Sequence, residues 1–202
     1  MVFGLLGDRG EDARLMPRAE HILLKTERLN LRTVSLADLD DMARLNGDPA
    51  VMRYIGEGTV WTRTQSEARI RRMLRVYENF PGLGMWIGEE QVTGRFVGAY
   101  VLNYIPKTAE VEVGYRLCKS AWGRGFATEG ARALVRYGLL ELGLRRVVGL
   151  THPDNEPSKR VLMKAGLRPA GMGRYYDKSL CYFVAENTFF SAAGEAVFPR
   201  MA

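Results

Sequence analysis

Polar and apolar residues alternate over residues 22–33, with Leu29 and Leu31 on one face and Arg28, Asn30 and Arg32 on the other. A period of two predicts a strand. From Ser35 the period lengthens, and Leu36, Leu39, Met42, Ala43 and Leu45 recur at helical spacing. Ser35, with Asp38 three residues on, offers an N-cap, and Gly47-Asp48-Pro49 is predicted to end the helix. A second helix is predicted over 65–80, opened by Thr64 and closed by Pro81-Gly82. Residues 84–89 and 94–105 are rich in Trp, Val, Tyr and Phe, and the turn between them predicts a hairpin. Over 108–118, Val111, Val113, Tyr115 and Leu117 share one strand face, while Glu110, Glu112 and Gly114 share the other. A helix follows over 125–142, with Ala127, Ala131, Leu134, Val135 and Leu139 as its apolar stripe. Residues 146–151 form a short, continuously apolar strand of the buried kind. A helix over 155–165 ends at Gly166, and strands over 168–176 and 180–187 complete the series.

The strand–helix–strand unit around the 125–142 helix predicts a parallel pair with a right-handed crossover. The remaining strands can pair antiparallel, so the pattern is α/β or α+β with a mixed sheet of seven strands. Residues 1–20 carry Gly4, Gly7, Gly10 and Pro17 without an apolar period, and read as a flexible leader. Residues 21–188 read as one domain and 189–202 as a tail or added edge element.

The chain's 202 residues can bury a sizeable core, and 47% hydrophobic with 26% charged residues exclude disorder over the whole length. No apolar run is long enough to span a bilayer, and the first residues lack a signal-peptide pattern. A cytoplasmic protein with no membrane partner is the expectation. The net charge of +6 fits either an anionic partner or a solvated basic surface. Cys118, Cys181, His21 and His152 form no metal-ligand spacing, so no metal is expected.

The most informative stretch is Trp122-Gly123-Arg124-Gly125-Phe126-Ala127-Thr128, between a predicted strand and a predicted helix. Its glycines let a ligand approach the backbone. The free N–H groups of the helix's first turn and its dipole favour an anion, with a pyrophosphate as the natural guest. Arg124 and Thr128 can add contacts. The loop lacks the third glycine of a dinucleotide fingerprint and the G-K-[ST] ending of a P-loop. A plain strand-to-helix turn is the alternative. Asn155-Glu156-Pro157-Ser158 opens the next helix, with Asn155 as a cap candidate and Pro157 suited to a first turn.

Together these two segments resemble motifs A and B of the GNAT acetyltransferases. Gly125 and Ala127 match the motif A pattern Q/R-x-x-G-x-G/A, while Trp122 stands at its Q/R position. W-G-x-G-[FY]-A-T-E is similar to the RimJ/RimL-like branch, the ribosomal-protein N-acetyltransferases. So are N-x-x-S-x-x-V-x-x-K-x-G from Asn155, L-x-T-E-R-L-x-L-R from Leu24 and D-P-x-V-M-R-Y from Asp48. The resemblance covers about residues 22–187. It implies a single-domain GNAT fold whose two central parallel strands splay apart. It also implies acetyl-CoA as cofactor and a primary amine as acceptor, in a protein N-terminus or a small molecule. The Leu117 backbone would pair with the pantetheine arm, and Trp122, Gly123, Arg124, Gly125, Phe126, Ala127 and Thr128 would hold the pyrophosphate. Asn155 joins this cofactor set. Lys164 or Arg160 would approach the terminal phosphate or form an exposed basic helix face.

For catalysis, Ser158 is carried over as hydrogen-bond or proton donor to the leaving thiolate, with a helix-start hydroxyl as the alternative. Glu112, in an E-V-G-Y sequence, is the candidate base, with Glu110 on the same face. An α-amine of pKa near 7.7–8.0 is roughly a tenth neutral at pH 7, whereas a lysine amine near 10.4 is neutral in about one molecule in 2,500. The lysine needs about 3 kcal/mol more help, which favours a protein N-terminus. The competing classes are a small-molecule acetyltransferase, a non-catalytic acyl-CoA sensor and a ribosome- or RNA-binding protein. A homodimer and ribosome association stay open. The acceptor mouth is expected from residues 50–65 and 171–180, with Tyr54, Trp61, Tyr175 and Tyr176.

Overall fold

The structure is a computed structural model and describes residues 23–188. The leader expected at 1–20 and the tail expected at 189–202 lie outside the described residues.

The alternation at the start of the chain builds two strands where one was expected, β1 (Leu23–Lys25) and β2 (Leu29–Thr33). Thr26 makes the break. Its N–H donates to the Leu29 carbonyl at 2.9 Å, and its Oγ1 accepts from the Leu29 N–H at 2.9 Å. A hydroxyl thereby closes a tight turn that a period of two cannot register. The chain reverses, Leu24 pairs opposite Leu31, and the sheet has eight strands rather than seven.

A 3-10 turn, Leu36–Asp38, runs into α1 (Leu39–Asn46), and the Asp38 carboxylate accepts from the Ser35 N–H at 2.7 Å. Asp48 and Pro49 not only follow α1 but open another short helix, α2 (Pro49–Met52). Asp48 Oδ1 accepts from the Ala50 N–H at 2.8 Å, and Pro suits the first helical position. Helix α3 (Arg63–Asn79) is opened by Thr62 rather than Thr64. Thr62 Oγ1 accepts from the Gln65 N–H at 3.2 Å, and Gln65 Oε1 accepts from the Thr62 N–H at 2.8 Å. This reciprocal pair outweighs the later threonine.

The hairpin follows as β3 (Gly84–Glu90) and β4 (Phe96–Tyr104), then β5 (Val111–Leu117). Helix α4 (Phe126–Arg136) continues through a wider turn at Tyr137–Glu141 to β6 (Arg146–Thr151). Helix α5 (Glu156–Lys164), β7 (Arg168–Tyr175) and β8 (Lys178–Glu186) complete the fold. The sheet order is β1-β2-β3-β4-β5-β6-β8-β7, and only β5 and β6 run parallel.

Alternate residues of the central strands feed two cores. Leu31, Trp86, Tyr100, Val111, Val113 and Leu117 pack with Phe126 and Leu134 of α4. Met85, Ile87 and Ala99 face the other way, with Met42 and Leu45 of α1 and Ile70 and Met73 of α3. Among the described residues, no helix is long and apolar enough to cross a membrane.

β5 keeps its ladder with β4 from Val111 to Leu117, and β6 keeps its ladder with β8 along its length. Between themselves β5 and β6 share one register pair, Glu112 with Val148. Past Glu112 the two strands part, and among the described residues the edge of β5 that faces β6 has no strand beside it.

Behind this edge β4 lies very close. A Cβ on Gly98, whose φ is 154°, would stand 2.4 Å from the Arg116 carbonyl oxygen. Gly98→Ala is therefore expected to destabilise the protein by about 2 kcal/mol or more, through backbone strain and displacement of β5. The urea midpoint should fall with the slope unchanged. A midpoint equal to that of the parent protein would show that β5 yields freely.

Candidate active site

The loop after β5 turns on two glycines in the left-handed region, Gly123 at φ 72° and Gly125 at φ 84°. They swing the chain into α4 with its first turn facing outward. Among the described residues, no backbone N–H from 123 to 128 has a protein acceptor. Unclaimed donors at a helix start make an anion site.

Glu129, in the first turn of α4, ties this loop to the β1–β2 turn. It accepts from Thr26 Oγ1 at 2.5 Å, from the Arg28 N–H at 2.7 Å and from Arg28 Nε at 2.8 Å. Burial pushes its pKa up, but the bonds from Thr26 and Arg28 outweigh that and hold it below the usual carboxylate value. Arg28 in turn donates from Nη1 to the Arg124 carbonyl at 2.9 Å. Arg124 lies over the Phe126 ring and pairs with Glu90 at 2.5 Å. Beside the loop runs a cleft of about 450 Å³ whose cations are Arg28, Arg132, Arg136 and Lys164. Arg132 and Arg136 escaped the sequence reading, since their spacing marks only an exposed helix face. Arg28 was read as an outward strand residue, although it sits in the L-x-T-E-R motif.

The other loop residues divide by role. Thr128 lines the cleft. Phe126 is buried, and its carbonyl accepts from the Tyr100 hydroxyl at 2.8 Å. Ala127 packs partly against the same core. The half-exposed Trp122 donates from its indole Nε1 to the Leu117 carbonyl at 2.8 Å.

Across the gap between β5 and β6, Asn155 caps α5, its Oδ1 accepting from the Ser158 N–H at 3.2 Å. Asn155 thus does the capping, and the Ser158 hydroxyl lies 3.0 Å from the Tyr115 hydroxyl. Burial pushes Tyr115 up to about 12, with the Ser158 bond pulling the other way, so the phenol keeps its proton at neutral pH. Tyr115 was legible in the sequence only as a face residue of its strand. Nothing there placed its hydroxyl beside Ser158. Lys164 lies at the end of α5, and its carbonyl accepts from Arg132 at 2.6 Å.

The two glutamates meet different surroundings. Glu110 accepts from the hydroxyls of Tyr175 and Tyr182, each at 2.8 Å, and pairs with Arg146 at 2.8 Å. Its oxygens are fully engaged. Among the described residues, Glu112 accepts only from the Tyr176 hydroxyl. Burial lifts its pKa above the usual carboxylate value, against the lowering effect of that hydrogen bond. Glu112 and Tyr115 differ by an odd number of positions, so they point to opposite faces of β5. The aromatic residues expected at the mouth also separate. Tyr54 packs on His152, Trp61 lies under Arg116, and Tyr176 reaches Glu112, whereas Tyr175 stacks on Tyr182 beside Glu110. His152 is used in its own turn, with Nδ1 accepting from the Asp154 N–H at 3.1 Å. Among the described residues, no cluster of His, Cys, Asp and Glu has a metal-holding arrangement.

The acetyltransferase (GNAT) domain family matches residues 28–168. FsC-acetyl coenzyme A-N(2)-transacetylase of Aspergillus fumigatus is 34% identical over 152 residues. That match covers 71% of this chain and 64% of the Aspergillus protein. A GNAT-family acetyltransferase from Bacillus anthracis superposes with a TM-score of 0.71 at 24% identity, covering 82% of this chain and 99% of that one. Mycobacterium smegmatis RimJ in complex with CoA-disulfide superposes with a TM-score of 0.70 at 18% identity, covering 83% and 88%. These two likenesses are of fold. With the family matched across most of its length, and with a helix start and a parted strand pair suited to coenzyme A, the chain belongs to the GNAT acetyltransferases.

Proposed function

We propose that this protein acetylates the α-amine of a protein N-terminus with acetyl-CoA, by direct attack in a ternary complex, as a member of the RimJ/RimL-like branch. The observation that carries the reading is the parting of β5 from β6 beside a helix start whose N–H groups are unclaimed. These features fit coenzyme A. The N–H groups of residues 123–128 would hold the diphosphate, and Arg28, Arg132, Arg136 and Lys164 would face the remaining phosphate charge. The open edge of β5 can take an extended amide-bearing arm as a strand would be taken. The bound cofactor supplies an acetyl thioester.

The chain's own residues then divide the chemistry between the two faces of β5. On one face Glu112 takes the proton that the amine must lose, directly or through water. Its raised pKa brings its basicity closer to that of the amine. The amine nitrogen bonds to the acyl carbon, the carbon–sulfur bond breaks, and the electron pair leaves on sulfur. On the opposite face the Ser158 and Tyr115 hydroxyls donate toward that sulfur. A thiol of pKa about 8.5 needs only modest help to leave. The α-amine assignment rests on having one available carboxylate, enough for an amine already partly neutral at pH 7. The likeness to the Aspergillus transacetylase favours a second reading, in which the amine belongs to a small molecule. Ribosome association and a homodimer would accompany the first reading.

Steady-state acetylation of a panel of N-terminal peptides, polyamines and amino acids, followed by thiol release, separates the two readings. Peptide turnover is the expected result. Glu112→Gln is expected to lower kcat about 100-fold or more while leaving acetyl-CoA binding near its parent value. In the parent protein, kcat/KM should fall as pH drops through the Glu112 pKa, at a pH above the ordinary carboxylate range. The variant should lose that limb, and a rate equal to the parent's would remove Glu112 from the mechanism. Gly125→Val puts a branched side chain into a left-handed position beside Arg28. It is expected to weaken coenzyme A binding about tenfold or more by calorimetry. An unaltered affinity would displace the diphosphate from this loop.

A further inference from the structure

The face of β5 that carries Glu112 also carries Arg116. Among the described residues no carboxylate pairs with this guanidinium, and its Nε and Nη2 are buried without a hydrogen-bond partner. Among the described residues it lies against the Trp61 ring, 5.0 Å from Cζ. A ring face offers a cation some attraction but no acceptor for its N–H groups. A buried charge with unmet donors is costly unless a partner arrives. Burial alone lowers the Arg116 pKa to about 10, so the side chain is still a cation at neutral pH.

A second, separate observation lies across the same opening. Trp61 lines a cleft of about 270 Å³ with Gln65, Ala68, Arg69 and Arg72 of α3 and its approach. Arg69 Nε is likewise buried and unmet. Neither Arg69 nor Arg72 has a carboxylate partner among the described residues, and no acidic residue lines the cleft. Arg71 on the same helix is paired with Glu67, and Arg63 with Asp40, so unlike these neighbours Arg69 and Arg72 keep their charge for the cleft.

Spacing then selects the kind of anion. Glu112 and Arg116 are four residues apart on an extended strand, which sets their Cα atoms about 13 Å apart. Gly114 lies between them on the same face and presents no side chain. A free α-amino acid carries its amine and carboxylate on one carbon and cannot span that distance. An extended peptide covers it in about four residues.

We propose that the cleft at Trp61, with Arg69 in its lining and Arg116 against the same indole, is an anion subsite of the acceptor site, taking the side-chain carboxylate of an acidic peptide whose reacting α-amine lies at Glu112. Trp61 forms the floor of the subsite, and Arg72 stands at its rim. The inference rests on the α-amine reading above, and it adds what the sequence beyond that amine must carry.

The test uses the full chain with saturating acetyl-CoA. Hexapeptides with N-terminal Ser and otherwise Gln residues carry one Glu moved through positions 2 to 5, against an all-Gln peptide and free glutamate. The parent protein should prefer Glu at position 3 or 4 by tenfold or more in kcat/KM, mainly through KM, and should take free glutamate poorly. Arg116→Gln and, separately, Arg69→Gln should collapse the ratio between the Glu and all-Gln peptides, and Arg116→Lys should restore part of it. Peptide turnover without a Glu preference, or a preference that survives both variants, would overturn the subsite while leaving the α-amine reading intact. Binding of an N-acetylated Glu peptide is read in parallel by calorimetry, without turnover. Should no peptide be acetylated, binding that depends on Arg116 would keep the subsite and retire the α-amine reading, whereas absent binding would retire both.

Discussion

Everything in this protein is arranged around two neighbouring parallel strands that stay paired at one position and then separate. A strand edge left without a ladder is costly inside a protein, because its N–H and C=O groups need partners. The fold meets that cost on both outer sides. β5 is fully laddered to β4, and β6 to β8, so each strand is held rigid by its other neighbour. The gap can then stay open. The Tyr115 hydroxyl crosses it to meet the Ser158 hydroxyl and carbonyl, and the helix that connects the strands delivers its unclaimed N–H groups to one end.

This separation also sorts the chemistry by face. Because successive strand residues point to opposite sides, β5 presents Tyr115 toward α5 and Glu112 toward the opening near α3. In the proposed mechanism, proton removal and leaving-group support would therefore be kept apart by the thickness of one strand. The contrast between Glu110 and Glu112 shows how fine this sorting is. The two lie two residues apart, yet one is saturated by two phenols and an arginine while the other keeps a single phenol. Burial without compensation shapes the second glutamate, and compensation defines the first.

Much of this was legible in the chain. The parallel pair followed from a strand, a long amphipathic helix and a short all-apolar strand in succession. The turn that leaves N–H groups unclaimed followed from two glycines before a helix start. What stayed hidden depended on which side chains hydrogen-bond to which groups, near in sequence or far. Thr26 ends β1 by closing a turn with its hydroxyl, which no alternation pattern records. Thr62 rather than Thr64 opens α3 because Gln65 answers it. Glu129 reaches back a hundred residues to Thr26 and Arg28, and only the folded chain brings them together. Within the site, sequence could name Ser158 but not its tyrosine neighbour, and it put Glu112 ahead of Glu110 by the E-V-G-Y resemblance alone, without the partners that separate the two.

The indole of Trp122 carries a consequence of its own. Its N–H already satisfies the Leu117 carbonyl at the mouth of the gap. An amide arriving at that oxygen would exchange one donor for another instead of making a wholly new bond, so its net contribution would be small. Discrimination among thioesters would then fall to the charged end of the molecule. A short acyl thioester lacking the nucleotide would have to share or displace the indole N–H at this carbonyl, with little binding energy of its own to do so.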